Sequence, residues 1–223
     1  MKLAARILFL AALAQPMLAQ AATPDDFFRA VQVDDDRALK RMIEATFDPN
    51  VPEPARGENG LIVALREDSM RAFELLVRHP GIRVDQPATN GNTALMMAAF
   101  KGKRQAVVDL IERGAAVNRS GWTPLHYAAA GGDADIATLL LDRKANIDAR
   151  APTGTTPLMM AAQEGQQAVV RLLLARGANP YLVDNNKRTA LRVAELADKR
   201  AIAKDIAAHM AANPVPAAAP KKR

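Results

Sequence analysis

The sequence predicts an all-α solenoid built from about six stacked helix-turn-helix units. A motif of small and apolar residues recurs along the chain and is clearest in Thr123-Pro124-Leu125-His126-Tyr127-Ala128. Its central apolar position repeats at intervals of 34, 34, 30, 33 and 33 residues. A period near 33 residues indicates an array in which each unit buries its apolar face against the next. The six anchor residues are Phe27, Leu61, Leu95, Leu125, Leu158 and Leu191.

The composition agrees with a globular chain that needs no large aromatic core. Of the 223 residues, 49% are hydrophobic and 24% are charged, whereas only 4% are aromatic. Alanine dominates the apolar set, and it combines high helix propensity with a small side chain that lets helices approach closely. A solenoid grows by adding units, so this length does not require a second domain.

The net charge of +6 does not indicate a nucleic-acid-binding surface, although the pI is near 9.8. Five basic residues lie at the two ends of the chain, and without them the remaining net charge is +1. The absence of cysteine excludes a disulfide framework, a thiolate metal site and a cysteine nucleophile. The five terminal basic residues are Lys2, Arg6, Lys221, Lys222 and Arg223.

Residues 1–21 are predicted to be a secretory signal peptide. Lys2 and Arg6 precede a short apolar run over residues 7–13, Pro16 breaks it, and Ala19-Gln20-Ala21 is typical of a cleavage site. The alternative is an uncleaved anchor, but the run is shorter than the roughly 20 residues that span a bilayer. The leader has a bacterial style, so we expect a cleaved protein in the periplasm, without stable membrane insertion.

The mature chain is predicted to be one repeat domain followed by a tail. The domain covers 22–210, and its first unit departs most from the motif, as expected for a terminal cap. The tail, 211–223, is rich in alanine, proline and lysine and is expected to stay unfolded, although its basic end could contact anionic lipid or peptidoglycan. The predicted repeats lie near 25–58, 59–91, 92–121, 122–154, 155–187 and 188–210.

Each motif carries the signals that start a helix. Threonine is a favoured N-cap, proline suits the first helical turn, and the leucine and alanine that follow can pack between units. The residues of the structural motif are Thr93, Leu95, Thr123, Pro124, Leu125, His126, Thr156, Pro157, Leu158, Thr189 and Leu191.

On these motifs the chain resembles the ankyrin-repeat family over residues 27–210. The resemblance implies units of a β-turn and two antiparallel helices, stacked into a curved solenoid whose concave side binds a protein partner. It also implies a structural hydrogen bond for His126. Two features depart from the family pattern. Lys144 stands where a glycine usually follows the second helix, which predicts a looser turn, and the hairpin Val117–Trp122 is three residues short, which predicts a notch in the binding surface.

Candidate partner-binding residues follow from the motif register. Trp122 and Phe100 are the most prominent, because aromatic side chains are enriched at interfaces. Trp122 could instead fold down to fill the gap left by the short hairpin, and Tyr127 is expected to stack beside it. The full candidate set is Asn90, Asn92, Phe100, Lys101, Arg119, Trp122, Tyr127, Thr155, Gln163, Glu164 and Arg188.

No residue pattern predicts catalysis, a cofactor or a metal. His126 lacks a second ligand at useful spacing. The pairs Met96-Met97 and Met159-Met160 could bind a soft metal, but they recur at one motif position, which favours packing between units. Asp34-Asp35-Asp36 is read as a solvated helix start, with calcium as the alternative.

The leading interpretation is therefore a monomeric, non-enzymatic periplasmic module that binds a protein. A secreted effector that engages a host protein is one alternative, and an enzyme is a weaker one. Resemblance to exported bacterial ankyrin proteins adds a third role, as an accessory factor that supports an exported oxidative-stress enzyme.

Overall fold

The computed structural model describes residues 22–214, which form twelve helices arranged as six antiparallel pairs stacked in chain order. No strand occurs within this range, so the predicted all-α solenoid is confirmed. The predicted signal peptide and residues 215–223 of the tail lie outside the described residues. The helices are α1 (Pro24–Gln32), α2 (Asp36–Glu44), α3 (Gly60–Arg66), α4 (Met70–Arg78), α5 (Ala94–Phe100), α6 (Arg104–Glu112), α7 (Pro124–Gly131), α8 (Ala134–Asp142), α9 (Pro157–Glu164), α10 (Gln167–Ala175), α11 (Ala190–Leu196) and α12 (Arg200–Ala212).

Polar N-caps start the first helix of most units, as the motif predicts. The hydroxyl oxygens of Thr93, Thr156 and Thr189 each accept a hydrogen bond from the backbone N–H three residues later, at 3.3–3.5 Å. Thr23 and Asn59 cap α1 and α3 in the same way. Each cap satisfies an N–H that has no partner inside its helix, a contribution of about 1 kcal/mol.

The core runs along the stack as a column of leucine and alanine side chains. The anchors Leu61, Leu95, Leu125 and Leu158 are at most 1% exposed. First helices of neighbouring units pack against each other more extensively than second helices do. The stack therefore bends toward the first helices, which with the hairpins form its concave face.

Side-chain hydrogen bonds connect the loops of successive units. At one register position an Asn or Asp side-chain oxygen accepts from a backbone N–H of the next unit, at 2.7–3.0 Å. Each bond satisfies an N–H that no helix uses, and such bonds typically contribute about 1 kcal/mol. The acceptors are Asn50, Asp85, Asn118 and Asp148, and the donors are Arg83, Ala116, Asn146 and Asn179.

The expectation of a looser turn at Lys144 is wrong. Lys144 adopts the left-handed conformation with φ of 68°, close to the 91° and 86° of Gly114 and Gly177 at the equivalent positions. The N–H groups of Lys144 and Ala145 donate to carbonyls of α8 at 3.0 and 2.9 Å, as their counterparts do after α6 and α10. The turn is kept, and its cost lies in backbone strain, since an L-residue in this conformation is disfavoured by roughly 1–2 kcal/mol.

Replacing Lys144 with glycine should therefore stabilise the protein. Relief of the left-handed strain exceeds the extra entropy of an unfolded glycine, so we expect a gain of about 0.5–1 kcal/mol in the free energy of unfolding. Urea titration followed by circular dichroism measures this gain. Lys144→Ala removes the same charge and keeps the strain, so an equal gain in that variant would contradict the explanation.

The C-terminal boundary lies slightly beyond the sequence expectation. Helix α12 continues through Ala212, so the first two residues of the predicted unfolded tail are helical. The hydroxyl of Tyr181 donates to the carbonyls of Met210 and Asn213, both at 3.0 Å, which anchors this end of α12 to the preceding hairpin. Among residues 22–214, no helix combines the length and hydrophobicity needed to cross a membrane.

Candidate functional site

The short hairpin before α7 differs from its neighbours in hydrogen bonding. Full-length hairpins are closed by backbone bonds such as Ala88 N–H to Asn92 O at 2.8 Å and Ala151 N–H to Thr155 O at 2.9 Å. Within the part of the chain that the structure describes, no equivalent bond closes residues 118–122 or joins them to a neighbouring hairpin. The chain therefore reaches α7 by a more direct path, which brings Trp122 to the start of that helix.

Trp122 packs on the helix that it precedes. Its ring lies 5.2 Å from that of His126, edge to face at 80°, and its side chain is half-buried. The two interpretations of Trp122 thus describe parts of one arrangement. The ring lies down over its own unit and still presents one side to the concave face.

A pocket of about 200 Å³ opens beside Trp122 between the third, fourth and fifth units. Its lining residues come from α5, α7 and α9, the helices of the concave layer, and from the short hairpin. The surface is almost wholly apolar, so it favours a partner group that gains from leaving water. The lining residues are Phe100, Trp122, His126, Tyr127, Ala130 and Met160.

Tyr127 does not pair with Trp122 as expected. It packs edge to face against Phe100, with ring centroids 6.4 Å apart and an angle of 85°. Its hydroxyl donates to Asn92 Oδ1 at 2.5 Å, and burial raises the pKa of the phenol. Asn92 therefore fixes the ring that supports Phe100, which itself remains 48% exposed.

Two small residues create the pocket. Ala130 lies at the register position that Phe100 and Gln163 occupy in the flanking units, so it leaves a gap in that row of side chains. Gly131 ends α7, and a Cβ atom there would lie 2.5 Å from the carbonyl oxygen of Phe100. Glycine thus permits a close approach of the third and fourth units, which brings Phe100 over the gap at Ala130.

His126 forms the floor of the pocket and is 1% exposed. Its Nδ1 accepts from the backbone N–H of Thr123 at 3.2 Å, and its Nε2 donates to the carbonyl of Thr155 in the next unit at 3.0 Å. Burial lowers the pKa of His126 from its ordinary 6.5, and the Thr155 contact opposes this shift. The imidazole is therefore neutral and serves as a structural link between units.

The remaining candidate residues differ in availability. Lys101, Gln163 and Glu164 are exposed at the ends of first helices, whereas Asn90 is exposed at a hairpin tip. Arg119 is half-exposed on the short hairpin.

Two candidate residues are engaged in contacts within the chain. Thr155 uses its carbonyl for His126 and its hydroxyl for Thr153, at 2.8 Å. Arg188 pairs with buried Asp184, with an N···O distance of 2.7 Å. That ion pair stabilises the last hairpin and leaves Arg188 less able to serve a partner.

Sequence reasoning missed two apolar contributors to the concave face. Met160 was assigned to packing between units, yet it also lines the pocket. Leu196 is 57% exposed and lies two units beyond Ala130 in the same register. Applying the register of Phe100 to the sixth unit would have found Leu196.

The acidic cluster near the N-terminus has structural partners. Asp35 caps α2 by accepting from Ala38 N–H at 2.9 Å, and Asp34 accepts from Arg71 and from the N–H of Ala72 in the second unit. These contacts account for Asp34 and Asp35 as turn and cap residues that tie the first two units together.

Comparison with known proteins identifies the repeat. A family model described as ankyrin repeats, in three copies, matches the overlapping segments 27–119, 61–151, 102–184 and 146–215. Neurogenic locus notch homolog protein 1 of Xenopus tropicalis is 35% identical over 114 residues, which are 50% of this chain and 4% of that protein. SH3 and multiple ankyrin repeat domains protein 2 of Homo sapiens is 33% identical over 121 residues, which are 52% of this chain and 6% of that protein.

The chain thus spans only a small part of the curated relatives it matches, whereas one solved structure matches almost entirely. The crystal structure of an ankyrin repeat domain from Acinetobacter baumannii AYE aligns with a TM-score of 0.69 and 26% identity, over 82% of this chain and 96% of that chain. Ankyrin repeats generally serve as protein–protein interaction scaffolds. The repeat period, the stacked helix pairs and the family match together show that this chain belongs to the ankyrin-repeat family.

Proposed function

We propose that this chain is a non-enzymatic binding protein that holds a protein partner on its concave face, centred on the pocket beside Trp122. The observation that carries the proposal is the exposed apolar surface at this pocket. Phe100 is 48% exposed, although neighbouring apolar residues of its helix are buried. Tyrosine and tryptophan are typical of interface hot spots, and a central pocket rimmed by them is the usual anchor of a protein interface.

We further propose that the protein acts in the bacterial periplasm after cleavage near Ala21. Support comes from the basic start, the short apolar run and the Ala19-Gln20-Ala21 site in the first 21 residues. Cell fractionation tests this location. Mature protein recovered from the culture medium or from host cells would favour the effector role instead.

Replacing Phe100 and Trp122 together with alanine should abolish partner binding. Hot-spot aromatics contribute at least about 2 kcal/mol each, so the double variant should bind roughly 100- to 1000-fold more weakly. The measurement is affinity capture from periplasmic extract of the producing bacterium. The captured partner would then be titrated against wild-type and variant protein.

Val33→Ala is a matched control, because Val33 is another exposed apolar residue, 66% exposed, at the far N-terminal end of the array. That variant should keep wild-type affinity. Circular dichroism should show unchanged helix content in every variant. Undiminished capture by a folded Phe100→Ala, Trp122→Ala protein would refute this position for the binding site.

A further inference from the structure

We infer that the partner presents one bulky apolar side chain flanked by carboxylates, and that this side chain enters the pocket beside Trp122. The inference rests on the proposed binding function and adds the chemistry of the ligand. It follows from the size of the pocket, from its lining, and from the charges that surround it.

The pocket has the size of a single side chain. At about 200 Å³ it is smaller than the roughly 300–1,000 Å³ of most small-molecule and cofactor sites. A dry cavity of about 150 Å³ already accommodates a benzene molecule. Leucine, methionine and phenylalanine side chains match this space, whereas a nucleotide or a folded loop does not.

The lining selects an uncharged group. Phe100, Tyr127 and Met160 present carbon surface, and the polar atoms within the pocket have partners of their own. The Nε2 of His126 donates to Thr155 O, and the hydroxyl of Tyr127 donates to Asn92. An inserted polar or charged group would lose its water without gaining a hydrogen bond, which disfavours it by several kcal/mol.

The charges around the pocket favour acidic flanks. Lys101 follows Phe100 directly, and Arg119 lies three residues before Trp122. Arg56 and Lys187 occupy the tips of other hairpins. Across residues 22–214, none of these four takes part in an ion pair within 4.0 Å.

The hairpin carboxylates, by contrast, are already engaged inside the chain. Asp85 and Asp148 accept from backbone N–H groups of the next unit, and Asp184 pairs with Arg188. Glu164 is an exposed carboxylate on the side of the fifth unit, and it is outnumbered by the four free cations. The concave face therefore offers unpaired positive charge beside an apolar pocket, which complements a leucine or phenylalanine set among Asp or Glu.

Trp122 is the only tryptophan of the chain and lines the pocket, so its fluorescence can report binding directly. Three capped peptides without tryptophan serve as probes: a central leucine flanked by glutamates, the same leucine flanked by lysines, and a central alanine flanked by glutamates. We expect the leucine–glutamate peptide to bind at least ten-fold more tightly than either of the others. Its affinity should also fall between 0.1 M and 1 M salt, because screening shortens the range of the charge interaction from about 10 Å to about 3 Å.

Variants separate the two parts of the inference. Ala130→Gln, which copies the residue of the fifth unit, should fill the pocket and abolish the leucine dependence. Lys101→Gln combined with Arg119→Gln should abolish the preference for glutamate flanks. Arg104→Gln removes a cation from the second-helix layer and should change neither property.

Equal binding of the glutamate- and lysine-flanked peptides would overturn the inference, as would equal binding of leucine and alanine peptides, or no fluorescence change at millimolar peptide. Each of these results is compatible with partner capture that still depends on Phe100 and Trp122. In that case the proposed function stands and the inferred ligand chemistry fails. Capture that survives the Phe100 and Trp122 substitutions would instead remove the proposed function itself.

Discussion

Gly131→Val should destabilise the protein by about 3 kcal/mol, because a side chain at this position collides with backbone. A Cβ atom there would lie 2.5 Å from the carbonyl oxygen of Phe100 and 3.2 Å from its carbonyl carbon. A backbone group in a packed helix cannot rotate away as the end of a side chain can. Valine recovers only a fraction of the roughly 1 kcal/mol by which glycine disfavours a helix, so the collision decides the sign.

Glu164→Val is the matched control, since Glu164 ends α9 at the same register position and is exposed. That change should alter the free energy of unfolding by about 0.5 kcal/mol or less. Urea titration measures both variants. Trp122 fluorescence should change in Gly131→Val even under native conditions, because the displaced Phe100 belongs to the same pocket. Equal stability of the two variants would show that the third and fourth units tolerate separation.

The fold could be predicted from the sequence because its determinants are local and repeated. The six anchors, the threonine caps and the turns each recur at fixed spacing, so each unit confirms the interpretation of the others. Lys144 shows the limit of this reasoning. The sequence revealed a missing glycine, but only the structure showed that the lysine adopts the left-handed backbone and keeps the turn.

The pocket could not be predicted because it depends on deviations that act together in three units. Trp122 and Phe100 were identified as candidates by their residue types, but the pairing of Phe100 with Tyr127 and of Trp122 with His126 depends on how far the third and fourth units approach. Gly131 sets that approach, and Ala130 leaves the space. Neither residue is conspicuous in a sequence rich in alanine and glycine.

Substitution of His126 should have the other large effect on stability, and it should change the pH dependence as well. His126→Ala removes a buried ring and leaves the carbonyl of Thr155 without its donor, so we expect a loss of about 3 kcal/mol. His126→Met copies Met96 and Met159, which occupy this register position in the flanking units. It keeps most of the volume and should lose about 1–2 kcal/mol for the missing hydrogen bond.

The pH dependence follows from the lowered pKa of His126. The unfolded chain titrates near the ordinary 6.5, whereas the folded chain resists protonation because the ring is buried and Nδ1 already accepts from Thr123. Between these two pKa values the unfolded state binds more protons, so the free energy of unfolding is fully maintained above pH 6.5 and falls as the pH drops below it. This window lies above that of the aspartates, whose ordinary pKa is 3.8 and which are lowered further in Asp48, Asp184 and Asp205.

Urea titrations at pH 7.5, 6.5 and 5.5 should therefore show a loss of stability in the wild-type protein that His126→Met removes. The remaining slope in that variant belongs to other groups. If His126→Met retained the full wild-type slope, the buried imidazole would not be the group responsible. If instead the slope vanished together with the wild-type preference among the three peptides, His126 would connect the stability of the junction between the fourth and fifth units to the shape of the pocket, since its ring forms the floor of one and the hydrogen bond across the other.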